Sequence, residues 1–409
     1  MAGPVTGGRQ RLDQVDAMRP VKQVGVVATH VLIFFAPSWG YVTANAALLL
    51  LHVSREAFFF ISACMLTYAY MDLQRTGLRR FYWRRCVSVV IPYLCWTLIY
   101  FFWGMRGSGY GSVSGGFAHL GHLLITGYWQ LYFLLVVMQF YLVYPLVLAL
   151  LKRTRGHHGL VLAVTAAAQL GISIVTHWNL LPTVLITYAQ ENALSYVLFL
   201  IGGAIVAFHL QDVDRWLRAN PPLVLGLTLI AAIFAEVVYY LAQYGVTTVL
   251  GSGSDPFQPS VIPFNIGAIA CGYLLGVALV QPWRSQRVRA WVRSGSNNAY
   301  GIYLSQFLFI TYLRDRNWSR LNEVISWPVV TVVTVVIVYA CAVLLTSLLA
   351  RTPLAVPLTG RPQVPWSTPI PRQWRARQAA PHAARPVPAE SIIPEPATLA
   401  GPTDNQNGT

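Results

Sequence analysis

Residues 46–71 read AALLLLHVSREAFFFISACMLTYAYM, and this stretch decides the fold class. It is long enough to cross a bilayer, since about 20 apolar residues form a helix that spans the ~30 Å hydrocarbon core. Yet the run also contains His52, Arg55 and Glu56. Ionisable groups are unfavourable in hydrocarbon, so a span that holds them faces other helices or a polar cavity. The stretch therefore predicts a membrane helix bundle with polar groups inside it.

Similar apolar runs recur along the chain. Only 11% of its 409 residues are charged, against about 25% in soluble domains. This deficit excludes an ordinary soluble enzyme, a disordered protein and a basic nucleic-acid-binding domain, so no nucleic-acid partner is expected. We predict an all-α, polytopic transmembrane bundle, a multi-pass protein of the plasma membrane. About ten spans can be drawn, at 21–37, 46–71, 86–104, 128–151, 159–178, 191–210, 222–244, 260–281, 297–313 and 325–350.

Basic residues predict the orientation of the bundle. Of the 29 Lys and Arg residues, 24 fall in the N-terminal arm, the C-terminal tail and alternate loops, and four fall in the opposite loops. Because Lys and Arg concentrate on the cytoplasmic side, both termini are predicted to be cytoplasmic, which requires an even number of spans.

The chain divides into three parts by composition. Residues 1–20 form a polar cytoplasmic arm, and residues 21–350 form the transmembrane domain. Residues 351–409 hold 12 of the 25 prolines and few large apolar residues. Such a composition cannot bury enough apolar surface to fold, so we predict a disordered cytoplasmic tail whose truncation after about residue 360 leaves folding and activity largely intact.

Arg19 and His30 are separated by 11 residues in and before the first span. Eleven residues are about three helical turns, so both side chains should face the same way, ~16 Å apart. A guanidinium at the interface can hold phosphate, and an imidazole can act as a general base. The alternative is an Arg that sets topology and a His that is satisfied by a neighbouring helix.

The charges of the second span predict either a polar reaction chamber or a structural network. Arg55 and Glu56 are adjacent and point about 100° apart on a helix, so they are expected to be a poor direct pair. The stretch RRFYWRR at residues 79–85 predicts either a phosphate clamp or a site for anionic lipid. His157 and His158 lie in a basic loop and are expected to be solvated. No cysteine or histidine pattern predicts a metal site.

Five segments in order resemble the membrane-bound acyltransferase family 3. They are spread over about residues 11–350. Arg19–x10–His30 resembles the family's signature in its first span, and SREAFFFISACMLTY resembles its FF-x-x-S-G segment. FYWRRCVSVVIPYLCW matches the basic stretch before Ile-Pro-Tyr, QLYFLLVVMQFYLVYP the next motif, and NNAYGIYLSQFLFI the S-Y-G-I-Y-L-x-H segment. The likeness is greatest to the branch that acts on bacterial exopolysaccharides and surface glycans.

The resemblance implies an enzyme that moves an acyl group, commonly acetyl, from cytosolic acyl-CoA to a hydroxyl of a glycan, glycolipid or other glycosylated product. The expected partners are acyl-CoA, this acceptor and membrane lipids. No metal cofactor is expected. The residues that it points to are His30, Arg19 and Glu56 for catalysis, and Arg19, Arg80, Arg84 and Arg85 for the donor. Arg55, Ser62, Gln130, Tyr132 and Gln306 would form the substrate chamber.

Three departures from the family pattern bear on the mechanism. Ala63 replaces a glycine, and Gln130 and Gln306 stand where the family has histidine. Glutamine has no basic nitrogen, so His30 is left as the predicted general base. The same residues also admit a transporter or flippase of a lipid-linked glycan, which needs no CoA site, and a silent scaffold whose tail binds partners.

Overall fold

The computed structural model describes residues 12–37, 41–73, 77–105, 112–245, 255, 257–281 and 285–366. Within these residues the regular structure is helical and contains no strand, as the sequence predicts. The α-helices are α1 Asp13–Phe35, α2 Tyr41–Leu51, α3 Val53–Tyr70, α4 Leu78–Arg85, α5 Ile91–Gly104, α6 Val113–Thr126, α7 Tyr132–Arg153, α8 His158–His177, α9 Thr183–Thr187, α10 Val197–Phe208, α11 Leu210–Ala219, α12 Pro221–Gln243, α13 Ile262–Val280, α14 Gln286–Asp315, α15 Trp327–Leu349 and α16 Ala355–Thr359.

Seven helices among the described residues are long and apolar enough to cross a membrane, or eight if one bent pair forms a single span. They coincide with eight of the ten predicted spans. The predicted spans 21–37 and 297–313 are helical too, but they lie in α1 and α14, which carry more polar residues and are not among the candidates. The exact number of spans therefore stays a prediction.

Helix α1 lies in the middle of the bundle, where it contacts α2, α3, α13, α14 and α15. Small residues let these backbones approach closely. A side chain at Gly276 of α13 would meet the carbonyl oxygen of Gln14 at 2.3 Å, and one at Gly295 of α14 would meet Pro20 at 2.4 Å. Close backbone contact of this kind is how membrane helices gain packing energy, because lipid offers no hydrophobic driving force between them.

The predicted span 191–210 is broken. The segment Ala193–Phe208 ends in a 96° bend, after which α11 turns away. At the bend, Nε2 of His209 lies 2.8 Å from Nδ1 of His158, whose Nε2 lies 2.8 Å from the carbonyl oxygen of Leu151. The expectation that His158 is solvated is therefore wrong. The loop is short enough that α8 begins at this residue and turns the imidazole inward.

Residues 351–366 are folded, so the prediction of a tail disordered from residue 351 is wrong for this part. Ala355, Thr359 and Val364 are buried, and the backbone N–H of Val364 donates to the carbonyl of Ala350 at 2.8 Å. The indole of Trp96 donates to the carbonyl of Leu358 at 3.0 Å. The composition of this segment does not predict its folding, because its burial depends on contacts with distant helices, such as the bond from Trp96. Residues 367–409 lie outside the described residues.

Candidate active site

A cavity of about 720 Å³ runs along one face of α1. Its wall includes Arg19, His30 and Ile33, which succeed one another along that helix. Arg19 lies at one end of the bundle, which we call the Arg19 end. At the other end of α1, Phe34 packs against Trp129 with ring centroids 5.1 Å apart, and Trp129 also lines the cavity. We call this the Trp129 end.

The structure brings six of the predicted site residues to the cavity wall. They are Arg19, His30, Arg55, Ser62, Gln130 and Tyr132. The shared facing of Arg19 and His30, predicted from their spacing, is confirmed. Arg19 also forms an ion pair with Asp16 at 3.2 Å, one turn earlier on α1. In the part of the chain that the structure describes, Glu56 and Gln306 do not line the cavity. Each contacts a residue that does, Glu56 through Arg55 and Gln306 through His30.

Gln306 lies behind His30. Its amide Nε2 is 3.3 Å from Nδ1 of His30, and its Oε1 has no hydrogen-bond partner among the described residues. An amide can present either atom to the ring. With Oε1 turned towards Nδ1, the amide accepts a hydrogen bond from Nδ1–H and leaves a lone pair on Nε2 of His30. The amide of Gln306 can therefore set the tautomer of His30.

Arg55 and Glu56 form a direct ion pair, so the expectation of a poor pair is wrong. Nε of Arg55 donates to Oε1 of Glu56 at 3.2 Å, and a second, shorter bond joins Nη2 to the same oxygen. The long guanidinium arm bends back to its neighbour, because the interior offers few other anions. Its carbon also lies 4.8 Å from the ring centre of Tyr196 and 5.4 Å from that of Phe257.

Lys22 belongs to the same buried network. It is only 8% exposed, and its ammonium interacts electrostatically with Glu56. In the chain this lysine stands close to Arg19 and belongs by position to the basic residues at the N-terminal end, yet its side chain is buried. Glu56 thus compensates two buried cations, and through Arg55 it supports one wall of the cavity.

A tight turn delivers Gln130 and Tyr132 to the cavity. Gly127 has φ of +79°, and a side chain there would meet the backbone nitrogen of Tyr132 at 2.4 Å, so only glycine fits. Trp129 also has a positive φ of +40°, an unusual conformation for a bulky residue that is typical of functional sites. The amide of Gln130 then donates to the hydroxyl of Tyr100 at 3.1 Å.

The predicted phosphate clamp lies elsewhere. The guanidinium of Arg85 lies over the rings of Tyr70 at 4.9 Å and Tyr141 at 5.3 Å, while Arg80 and Arg84 are exposed. None of the three is on the cavity wall in the part of the chain that the structure describes. Their role in binding the donor stays a prediction.

Lys substitution at Arg84 and Arg85 tests that role. From this geometry we expect the double variant to retain donor affinity within about twofold and to unfold at a lower temperature, since Lys stacks less well on aromatic rings. Titration of acyl-CoA onto the purified protein, together with thermal unfolding, measures both. A tenfold or greater loss of donor affinity in a well-folded variant would instead support the predicted role of these arginines in binding donor phosphate.

Glu191, an ionisable residue at the edge of a predicted span to which the sequence assigns no specific role, also lines the cavity. It stands between α9 and α10. Ser296, Tyr300 and Arg361 also line the cavity and were not predicted. Among the described residues, no group of three His, Cys, Asp or Glu side chains is arranged to hold a metal ion.

The bundle thus places a histidine and an arginine of one helix on the wall of a single cavity. The family model described as an acyltransferase domain matches residues 12–346, so the chain belongs to acyltransferase family 3. No curated protein and no solved structure gives a significant match.

Proposed function

We propose that this protein is an O-acyltransferase of the plasma membrane that uses acyl-CoA, most simply acetyl-CoA. The acceptor is a hydroxyl of a glycan, glycolipid or other glycosylated product, as in the bacterial surface-glycan branch that the sequence resembles. Family membership supports acyl transfer. The cavity that joins Arg19 to His30 carries the assignment of the site, because it provides a cation for the donor and a base for the acceptor in one continuous space.

The proposed reaction uses His30 as the general base. Its Nε2 takes the proton of the acceptor hydroxyl as that oxygen attacks the thioester carbonyl. The C–S bond then breaks, the acyl group stays on the acceptor oxygen, and the proton passes to the thiolate of CoA. Arg55, on the same wall, stabilises the negative charge that develops on the carbonyl oxygen. Arg19 holds donor phosphate at the entrance.

The direct test is acyl transfer by the purified protein in lipid nanodiscs. We expect release of CoA thiol from acetyl-CoA that depends on added glycan acceptor. Mass spectrometry of surface glycans and lipids, from cells with and without the protein, should then show a difference of one acyl group. If cells that express a folded His30→Gln variant lack this added acyl group, the acylation depends on the cavity that holds His30.

A translocation path is the second candidate function, and one observation favours it. The cavity wall includes Arg19 at one end of α1 and Trp129 at the other, which is the layout that a passage through the bundle needs. A flippase would move a lipid-linked glycan in nanodisc or vesicle assays without consuming acyl-CoA. Glycan movement that is unaffected by His30→Gln, in the absence of thiol release, would favour it.

We propose further that the Arg19 end is cytoplasmic and that α1 and α14 complete a set of ten spans, with both termini inside. The basic asymmetry of the loops supports this orientation. Reporters fused after residues 155, 215 and 288 should then report the cytoplasm, and a reporter fused after residue 185 should report the outside. If a reporter fused after residue 288 reports the outside, the predicted set of ten spans is wrong.

A further inference from the structure

The segment Ala350–Val364, which we call the C-terminal strap, crosses the Arg19 end of the bundle. Its short helix α16 is followed by Gly360, whose φ of +65° turns the chain sharply. A side chain at Gly360 would meet the Tyr300 ring at 2.7 Å and the Ser88 carbonyl oxygen at 2.8 Å. The strap thus lies directly on α14 and on the π-helical segment Cys86–Val90. Both Gly360 and the next residue, Arg361, line the cavity.

Arg361 is placed close to Arg19. Its Nη1 donates to Oδ1 of Asn297 at 2.7 Å. Asn297 follows Gly295 by two residues on α14, and Gly295 is the residue that abuts Pro20, next to Arg19 in the chain. Two guanidinium groups, one from α1 and one from the strap, therefore line the same end of the same cavity.

Two buried hydroxyl groups on the wall of the same cavity have no hydrogen-bond partner among the described residues. They belong to Ser296, which is 1% exposed, and to Tyr300, and both residues line the cavity. Buried hydroxyls without partners are unfavourable, so such groups usually bind water or a ligand. Two cations with two donors that lack acceptors form a set suited to phosphate oxygens.

We propose that the C-terminal strap completes a phosphate subsite, in which Arg361 and Arg19 hold the phosphates of the acyl-CoA donor and Ser296 and Tyr300 donate to their oxygens. This inference rests on the proposed function for the identity of the donor. In this proposal the donor phosphates bind to Arg19 and Arg361, which line the cavity, and not to the exposed Arg80 and Arg84. The proline-rich segment then takes part in substrate binding.

The test compares binding of two probes to the purified full-length protein. CoA carries the phosphates, and S-acetylpantetheine carries the thioester arm without the CoA diphosphate. We expect Arg361→Gln to weaken CoA binding about 10- to 100-fold, the usual effect of losing a charge-assisted hydrogen bond, and to leave S-acetylpantetheine binding unchanged. Glutamine can still bond to Asn297, so the strap should stay in place. If this variant does not fold, Arg361→Lys serves in the same comparison.

The matched control is Arg351→Gln, which removes the same charge from the same strap. Arg351 lies over the ring of Trp366 at 5.2 Å and is not on the cavity wall, so CoA binding should be unchanged. Equal CoA binding by the wild type and Arg361→Gln would overturn the inference, as would an equal loss of both probes. If the wild type binds no CoA, the proposed function fails. Binding of inorganic pyrophosphate then tests the phosphate subsite separately. Pyrophosphate binding by the wild type that is weakened in Arg361→Gln would support the subsite, and absence of binding by the wild type would refute it.

Discussion

Replacement of His30 by glutamine is expected to lower the rate of acyl transfer by about 10²- to 10⁴-fold, the usual contribution of general acid–base catalysis. Glutamine keeps a hydrogen-bonding group on the cavity wall but cannot accept the proton of the acceptor hydroxyl. The affinity for acyl-CoA should change little, because our proposal places the phosphates at the Arg19 end of the cavity. Donor titration and single-turnover transfer on the purified variant separate these two effects.

His158→Gln is the matched control for this prediction. It makes the same substitution at a buried histidine that contacts His209 and lies away from the cavity. If loss of any buried imidazole merely lowers the folded yield, both variants should suffer alike and the folded fraction should transfer normally. The catalytic assignment is falsified if folded His30→Gln transfers acyl groups at the wild-type rate.

Gln306 offers a finer test of the same base. Its Oε1 can hold the proton of His30 on Nδ1, so Gln306→Leu should reduce the transfer rate by a smaller factor than His30→Gln and should leave donor affinity intact. Gln306→Glu keeps the acceptor oxygen and should restore most of the rate. A pure packing role for Gln306 would give no such rescue.

Replacement of Glu56 by glutamine is expected to destabilise the protein by about 3–5 kcal/mol, the typical effect of removing one partner from a buried ion pair. Arg55 and Lys22 are 9% and 8% exposed, and the change leaves both cations without the carboxylate that faces them. Denaturant unfolding in mild detergent and the yield of monodisperse protein would measure the loss.

The double variant Arg55→Gln/Glu56→Gln separates stability from catalysis. Removing both charges also takes away the guanidinium that had lost this carboxylate, so stability should recover in part, as a double-mutant cycle would show. Transfer should not recover, because Arg55 is the residue on the cavity wall. If folded Glu56→Gln is as inactive as folded His30→Gln, Glu56 takes part in the reaction directly instead of through Arg55.

The sequence predicted the parts of this site that depend on helical period. Arg19 and His30 share a face because 11 residues make about three turns, and one helix fixes their relation without reference to the rest of the chain. The apolar runs likewise predicted most of the helices, because length and hydrophobicity suffice for a membrane span.

The parts that the sequence missed depend on contacts between distant elements. Arg361 reaches the cavity because Trp96 binds the strap and Asn297 binds Arg361 itself, and no local pattern encodes those partners. His158 is buried by a histidine 51 residues away. The pairing of Arg55 with Glu56 was misjudged because adjacent positions on an ideal helix diverge, whereas a long side chain in an apolar interior bends towards its counter-ion.

The broken span at Ala193–Phe208 has a consequence for the surrounding lipid. Four 3-10 residues and 12 α-helical residues rise only about 26 Å, less than the ~30 Å of a typical hydrocarbon core. Such hydrophobic mismatch is relieved when the bilayer thins locally or when neighbouring protein shields the helix ends. Lipid chain length is therefore a physical variable that can act on the protein through this flank of the bundle without touching the cavity.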